Sequence, residues 1–490
     1  MYPTLTSLVV LGAAWLIYKL LSIGRRDKSL PPGPPTLPIL GNIHLIPPKF
    51  TFLKFSEWAQ EYGGIISVKV ANQTIIVLSD MKSVKELLDD RISETSSRPF
   101  LYALDVVTGG NVFSFAPADN HVWKTSRKAI QPLVTPQAVQ THLPISETET
   151  TQLLYDILHG PEVDFRSHVS RFAFSFITSV LFGKPAPRYN SPESTQYREY
   201  THQLLKTVSP EAAPVDLIPI LKYIPERWAP FKQLWRETRR LQRALYFSFL
   251  EHTEQKVTSG NKTGSMIEDV LRRQSELGIS RELTGYLGGI LIDGGTDTSS
   301  ALLQSLVLRL MKSPASLRKA QNEVDTVVGK KRLPVSSDVS ALPYVQALIK
   351  EIHRMTPAGP VGVPHAAFTD CQYREYTIPK GAPIIINIWG IMHDPDLFER
   401  PDEFWPERYL LTPDGTRPGI EKDYNIRSTL PFGSGKRLCP GMHLANMNLN
   451  LAVMRLIWAF DFAPIGGPIP QPEKWNVADE YTYVRANLIT

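Results

Sequence analysis

Cysteine is nearly absent: Cys371 and Cys439 are the only two in 490 residues. Two thiols cannot build a disulfide framework, which favours a reducing, cytosolic setting for the body of the chain. Residues 36 to 490 contain no long Ser/Gly-rich linker, no repeat and no low-complexity tract. The length would accommodate about three domains of ~150 residues, but without linkers one large domain is the simpler organisation. A bulk excess of one charge is also missing. The formal net charge of +5, from 53 Lys and Arg against 48 Asp and Glu, is spread along the chain and not gathered into the basic stripes of a nucleic-acid binder. Nucleic acid is therefore not an expected partner. No G-x-G-x-x-G follows a strand pattern and no flavin segment is present, so redox chemistry would need electrons from a separate protein.

What the chain does have is a glycine-punctuated loop, Phe432-Gly433-Ser434-Gly435-Lys436-Arg437-Leu438-Cys439-Pro440-Gly441, leading into the apolar run from Met442 to Phe460. A lone cysteine is usually a small core residue. A thiolate is also a soft-metal ligand, and one suffices for haem iron because the porphyrin supplies the equatorial nitrogens. Gly433, Gly435 and Gly441 allow the loop to pass close under a flat cofactor. Arg437 is suited to a propionate, and Phe432 to shielding the sulfur.

The spacing Phe432-x-x-Gly435-x-Arg437-x-Cys439-x-Gly441 resembles, at all five fixed positions, the haem-binding loop of the cytochrome P450 family of haem-thiolate monooxygenases. The resemblance implies a mainly α fold with small β-sheets (α+β), haem b between a long central helix and the cysteine loop, and Cys439 as axial ligand of the iron. It also implies insertion of one oxygen atom from O2 into an apolar small molecule. Electrons would come from NADPH through a separate reductase, with cytochrome b5 as a second possible donor.

Before that domain, Leu5 to Ile23 is almost wholly apolar and is followed by Arg25, Arg26 and Lys28. The length just spans a bilayer, and positive charge on its C-terminal side keeps that side cytoplasmic. Residues 1 to 24 are therefore expected to be a single-pass anchor in membrane lipid, in the endoplasmic reticulum by resemblance. Residues 25 to 35, with Pro31-Pro32-Gly33-Pro34-Pro35, form a stiff extended hinge, and 36 to 490 a single catalytic domain.

Along that domain, alternation at Ile66, Val68 and Val70 followed by Thr74 to Leu78 predicts a hairpin, and Asp80 caps a helix to Asp89. Arg98 to Asn120 has no clear period, and the family's corresponding loop roofs the substrate pocket. Trp123 and Arg127 are four apart on a predicted helix. They match a Trp-x-x-x-Arg motif that implies contact with a propionate. Residues 145 to 275 are mostly amphipathic helix, broken by Pro210, Pro214, Pro219 and Pro225 among apolar residues, a plausible lid.

A long helix is expected from Arg281 to Lys312, despite Gly288, Gly289, Gly294 and Gly295, each costing ~1 kcal/mol against alanine. Gly294 to Ser299 resembles the family's oxygen-activation segment, implying that Thr298 hydrogen-bonds at the dioxygen site and Asp297 feeds protons. Alone, the two would read as a kink with local back-bonding. Glu351 and Arg354, three apart, resemble the family's Glu-x-x-Arg, tied to Arg408 as structural support. Pro357 to Pro364 is expected to line the pocket and His365 to meet a propionate. Asn387 to Pro395 continues the resemblance as strand and turn. Lys124, Lys128 and Lys436 are candidates for docking an acidic redox partner.

Two departures stand out. Glu375 occupies a turn position where many members have glycine, and the short run after Cys439 puts a terminal hairpin in doubt. The style of the sequence resembles fungal members that tailor terpenoids or polyketides. Hydroxylation of xenobiotic, aromatic or fatty-acid substrates, a haem-thiolate isomerase or dehydratase, a haem sensor and a zinc or redox thiol protein are the other readings weighed.

Overall fold

Three small sheets accompany a helical body. β1 (Ile65–Val70) and β2 (Gln73–Leu78) form the predicted hairpin, Val70 opposite Gln73, with Ala71 turning the chain at a φ of +50°. The short strands β3 (His365–Ala366), β4 (Cys371–Tyr373), β5 (Tyr376–Ile378) and β6 (Pro383–Ile386) come much later in the chain. The main sheet has the order β1-β2-β6-β3, with β2 and β6 parallel, so His365 lands at its edge. The computed structural model describes residues 2–160, 165–208, 214–420, 424–464 and 484–488.

Both departures resolve into ordinary pairing. β4 and β5 close around Arg374-Glu375 with Tyr373 opposite Tyr376, and the left-handed conformation falls on Arg374, at a φ of +54°, rather than on Glu375. A terminal hairpin exists: β7 (Phe460–Pro464) pairs antiparallel with β8 (Val484–Leu488). Its intervening segment and Pro210 lie outside the described residues.

The principal helices are α1 (Tyr2–Ser22), α2 (His121–Ile130), α3 (Leu143–His159), α4 (Phe165–Phe182), α5 (Pro192–Thr207), α6 (Pro230–Thr258), α7 (Arg281–Lys312), α8 (Pro343–Met355) and α9 (Met442–Ala459). α4 is buried along almost its whole length and carries α7. α7 begins where the Ser280 hydroxyl accepts the Leu283 N–H at 3.1 Å and stops just before Pro314, as its capping and proline signals dictate.

Its glycines have a packing reason. A Cβ on Gly288 would lie 2.3 Å from the Phe182 ring, on Gly289 2.1 Å from Tyr246, and on Gly295 2.7 Å from Ile177. Gly294 differs, with nothing within 4 Å of where its Cβ would be. Gly288, Gly289 and Gly295 thus seat α7 against α4 and α6, and Gly294 leaves space.

The N-terminal segment is helical, but among the described residues no helix is long and apolar enough to cross a membrane. The expected span is thus unconfirmed. Thr4, Thr6 and Ser7 at one end and Lys19 at the other interrupt the apolar run. Leu8, Leu11, Trp15 and Ile17 are exposed all the same.

The proline segment is clamped to the sheet rather than standing off as a spacer. Arg26 donates to the carbonyls of Gly33 and Pro34 at 2.7 and 2.8 Å and to Ser67 Oγ of β1 at 2.9 Å. Ser67 in turn donates to the Pro31 carbonyl through Oγ and to the Pro32 carbonyl through its N–H. Arg26 therefore acts as a fastening, not only as a charge flanking the helix.

Candidate active site

The cysteine loop is shaped by what it must avoid. Gly435 has a φ of +59°, and a Cβ there would come within 2.4 Å of the Leu88 carbonyl, so only glycine lets the loop press against that segment. Ser434 donates to Asp89 at 2.7 Å and fixes the contact. The Cys439 N–H closes the loop on the Phe432 carbonyl at 2.9 Å, and α9 starts three residues beyond the sulfur.

The thiol therefore sits at a helix N-terminus, where backbone N–H groups favour negative charge. Cys439 opens onto free space, yet surrounding protein raises its proton affinity; the Gly441 N–H, the Arg127 charge and the Met442 N–H pull the other way. Phe432 lies beside the loop with its ring 5.1 Å from that of His353.

Arg127 acts on this thiol, and Arg437 and then Arg98 continue a row of cations from it that no described carboxylate neutralises. Arg437 donates to the carbonyls of Ser96 and Ala116 at 2.9 and 2.6 Å, lies over the Trp123 indole at 5.0 Å, and keeps Nη1 buried with no partner among the described residues. Burial, with the Arg127 charge second, brings it down to about 10. Arg127 is half-buried and also pushed down, chiefly by desolvation.

Arg98 holds the carbonyls of Ser114, Val363 and Pro364 at 3.0, 2.7 and 2.8 Å and is brought to about 9 by burial and then by Arg437. Arg98 bridges the aperiodic stretch to the predicted pocket lining, and sequence reasoning marked only the boundary of that stretch. His365 is buried beside them, Nδ1 3.2 Å from the Thr95 carbonyl, and burial pushes it down to about 3. Such a cluster demands an anion.

On α7, Thr298 Oγ1 donates to the Gly294 carbonyl at 2.6 Å, a back-bond that loosens the helix where its glycine leaves space. Asp297 lines the same opening but is enclosed at longer range, and burial pushes it up to about 6 while Tyr197 and Arg166 favour its charge. The buried acid Asp293, one turn earlier, was missed. It drew no notice in the sequence because only the helices packed on it reveal its setting.

Support comes from the predicted network. Arg354 pairs with Glu351 at 2.9 Å and Arg408 joins the same carboxylate at 3.1 Å, all three buried. Arg354 also reaches the carbonyls of Met392 and Pro401, and Arg408 those of Glu399 and Arg400, binding together the segments that lead to the cysteine loop. Asn387 follows β6, but Trp389 lies on a short helix, Ile388–Met392, not a strand and turn. The cause is local: Asn387 caps it by accepting the Gly390 N–H, and His393 stacks on Trp389 at 3.9 Å. Lys124, Lys128 and Lys436 are all exposed.

Residues 31–481 match the family model for cytochrome P450. The chain belongs to the cytochrome P450 family. This P450 is 39% identical over 447 residues to a cytochrome P450 monooxygenase of Armillaria gallica, covering 91% of this chain and 85% of that one. It is 37% identical to the cytochrome P450 monooxygenase ple5B of Rhodocybe pseudopiperita, covering 96% and 89%.

A zebrafish cytochrome P450 solved with progesterone shares the fold at a TM-score of 0.74 and 23% identity, covering 89% of this chain and 99% of that one. The P450 family implies a haem-iron cofactor, and the residues here fit one. A thiol at a helix N-terminus suits the iron, and the unpartnered Arg437 Nη1 and uncompensated arginines suit propionates.

Proposed function

We propose that this P450 monooxygenase oxidises an apolar small molecule of secondary metabolism, of terpenoid or polyketide type. One observation carries the site assignment: Cys439 is exposed beside Arg127, the first of a row with Arg437 and Arg98 that no described carboxylate neutralises. Cys439 would ligate the iron, while Trp123, Arg127, Arg437 and His365 hold the propionates and Phe432 keeps water from the sulfur. When bound, haem supplies the one-electron and dioxygen chemistry that no side chain can.

The protein's own groups then manage position and protons. Thr298 would offer its hydroxyl at the open α7 turn, and Asp297 would take protons from solvent and pass them inward. Substrate enters past the proline-broken segment, where Ile220, Tyr223 and Trp228 are exposed while Val215 is buried. That apolar surface and the exposed apolar side chains of α1 support attachment to the endoplasmic reticulum membrane through the N-terminal helix. Lys124, Lys128 and Lys436 offer a basic face for an acidic NADPH-dependent reductase.

The test is to incubate the full-length protein, a reductase and NADPH with terpenoid and polyketide candidates under isotopically labelled dioxygen. A product carrying one labelled oxygen atom supports the reading. NADPH-independent turnover of the same compounds without label would replace it with isomerase or dehydratase chemistry.

A further inference from the structure

The described reaction leaves one buried acid unused. Asp293 lies on the face of α7 shared with Asp297, four residues on, and α5 presents Tyr200 and Tyr197 opposite the two. Tyr200 Oη donates to Asp293 Oδ2 at 2.9 Å, and Tyr246 Oη from α6 donates to the same oxygen at 2.5 Å. Gln242 braces both phenols from behind, its Nε2 2.9 Å from Tyr200 Oη and 3.3 Å from Tyr246 Oη. Space for this arrangement comes from Gly289, since any Cβ there would collide with the Tyr246 ring.

The second rung, Tyr197 and Asp297, is left open. Tyr197 Oη is buried with no hydrogen-bond partner among the described residues, as is Asp293 Oδ1, and yet Tyr197 lies close enough to Asp297 to favour its charge. Buried polar atoms without partners cost ~1–3 kcal/mol each. A pure clamp between helices would be better served by saturating them.

We propose that Asp293 is a positioning residue for Asp297: by gripping Tyr200 and Tyr246 it fixes α5 on α7 so that the Tyr197 phenol stays beside Asp297 and sets that carboxyl's proton affinity. The inference rests on the reading of Asp297 as the proton-delivery residue. The groups facing the pair are Tyr200 and Tyr197 from α5, Tyr246 from α6 and Arg166 from α4. Burial pushes Asp293 up to about 7, with the Asp297 charge a smaller contribution, and burial pushes Asp297 up to about 6, so both acids change charge near neutral pH.

The test compares the full-length holoenzyme with Asp293→Asn, Tyr200→Phe and Asp297→Asn. One readout is the infrared band of protonated carboxyl groups through the neutral range, which needs no turnover. The other is the pH profile of NADPH oxidation and the peroxide released per NADPH, with reductase and no added substrate. The wild type should lose the band in two overlapping steps and Asp293→Asn in one. Asp293→Asn should also displace the oxidation profile and raise peroxide severalfold, and Tyr200→Phe should do so in the same direction and less.

If Asp297→Asn alters peroxide release but Asp293→Asn and Tyr200→Phe keep the wild-type profile, the inference is wrong and the role of Asp297 stands. A lowered melting temperature in Asp293→Asn with an unmoved profile makes the residue merely structural and also overturns it. If Asp297→Asn itself changes nothing, the proton-delivery reading fails and takes the inference with it.

Discussion

Arg437 lies over the Trp123 indole at 5.0 Å, so a residue of the cysteine loop is held by a residue of α2 more than three hundred positions earlier in the chain. The stacking fixes the guanidinium plane, two carbonyls occupy part of it, and Nη1 is left without a partner among the described residues. A charge-assisted hydrogen bond to a buried anion is worth ~1.5–3 kcal/mol. Arg437→Ala should therefore retain haem about 10- to 100-fold less tightly, measured by haem transfer to an apoprotein acceptor. Unchanged retention would remove Arg437 from the binding set.

Thr298 back-bonds to the Gly294 carbonyl beside the open space. Thr298→Ala deletes the hydroxyl without filling that space, so haem binding should persist while reducing equivalents go to peroxide or water instead of product. Peroxide and product measured against NADPH consumed check this. Normal coupling in the variant would show that Thr298 has no part in proton handling.

The Glu351 carboxylate is shared by Arg354 and Arg408, all of them buried. Removing one member strands buried charge, which costs ~3–5 kcal/mol, whereas a surface pair is worth ~0–1 kcal/mol. Glu351→Ala should lower stability to denaturant by the larger amount and reduce haem incorporation with it, while Lys54→Ala, which breaks an exposed pair with Glu57, should be near neutral. Similar small losses for both would contradict the buried network.

Opposing titrations give stability a signed dependence on pH. Asp293 is raised from 3.8 to about 7, so the folded state holds the extra proton and this group's contribution falls as pH rises through that window. His353, lowered by burial from 6.5 to about 4, does the reverse: its contribution is present above 6.5 and is lost as pH falls toward 4. Asp293→Asn removes the first trend and keeps the second. The stability gap between wild type and variant should therefore widen as pH falls from about 7 to about 5 in denaturant titrations. A gap independent of pH would mean that Asp293 does not titrate there.

Much of this was legible because it is local. The cysteine loop, the hairpin before Leu78 and both ends of α7 follow from turn residues, alternation, a serine cap and a proline, all read within a few positions. Arg98 and Asp293 were not legible, since an arginine in an aperiodic stretch and an aspartate among glycines gain meaning only when Val363, Tyr200 and Tyr246 arrive from distant segments. The Trp389 helix was misread for a similar reason: Asn387 ends a strand and caps a helix at once. The proline segment looked like a spacer because the Arg26 grip on Ser67 crosses 41 positions.

The central claim is that Cys439 ligates haem iron, and the absorption spectrum of the reduced, folded, haem-supplied protein with and without carbon monoxide tests it most directly. A strongly red-shifted Soret band should appear in the wild type, persist in Cys371→Ala, whose thiol is buried in β4, and vanish in Cys439→Ala. A histidine-type or absent band in the wild type, or a thiolate band that survives loss of Cys439, would contradict it.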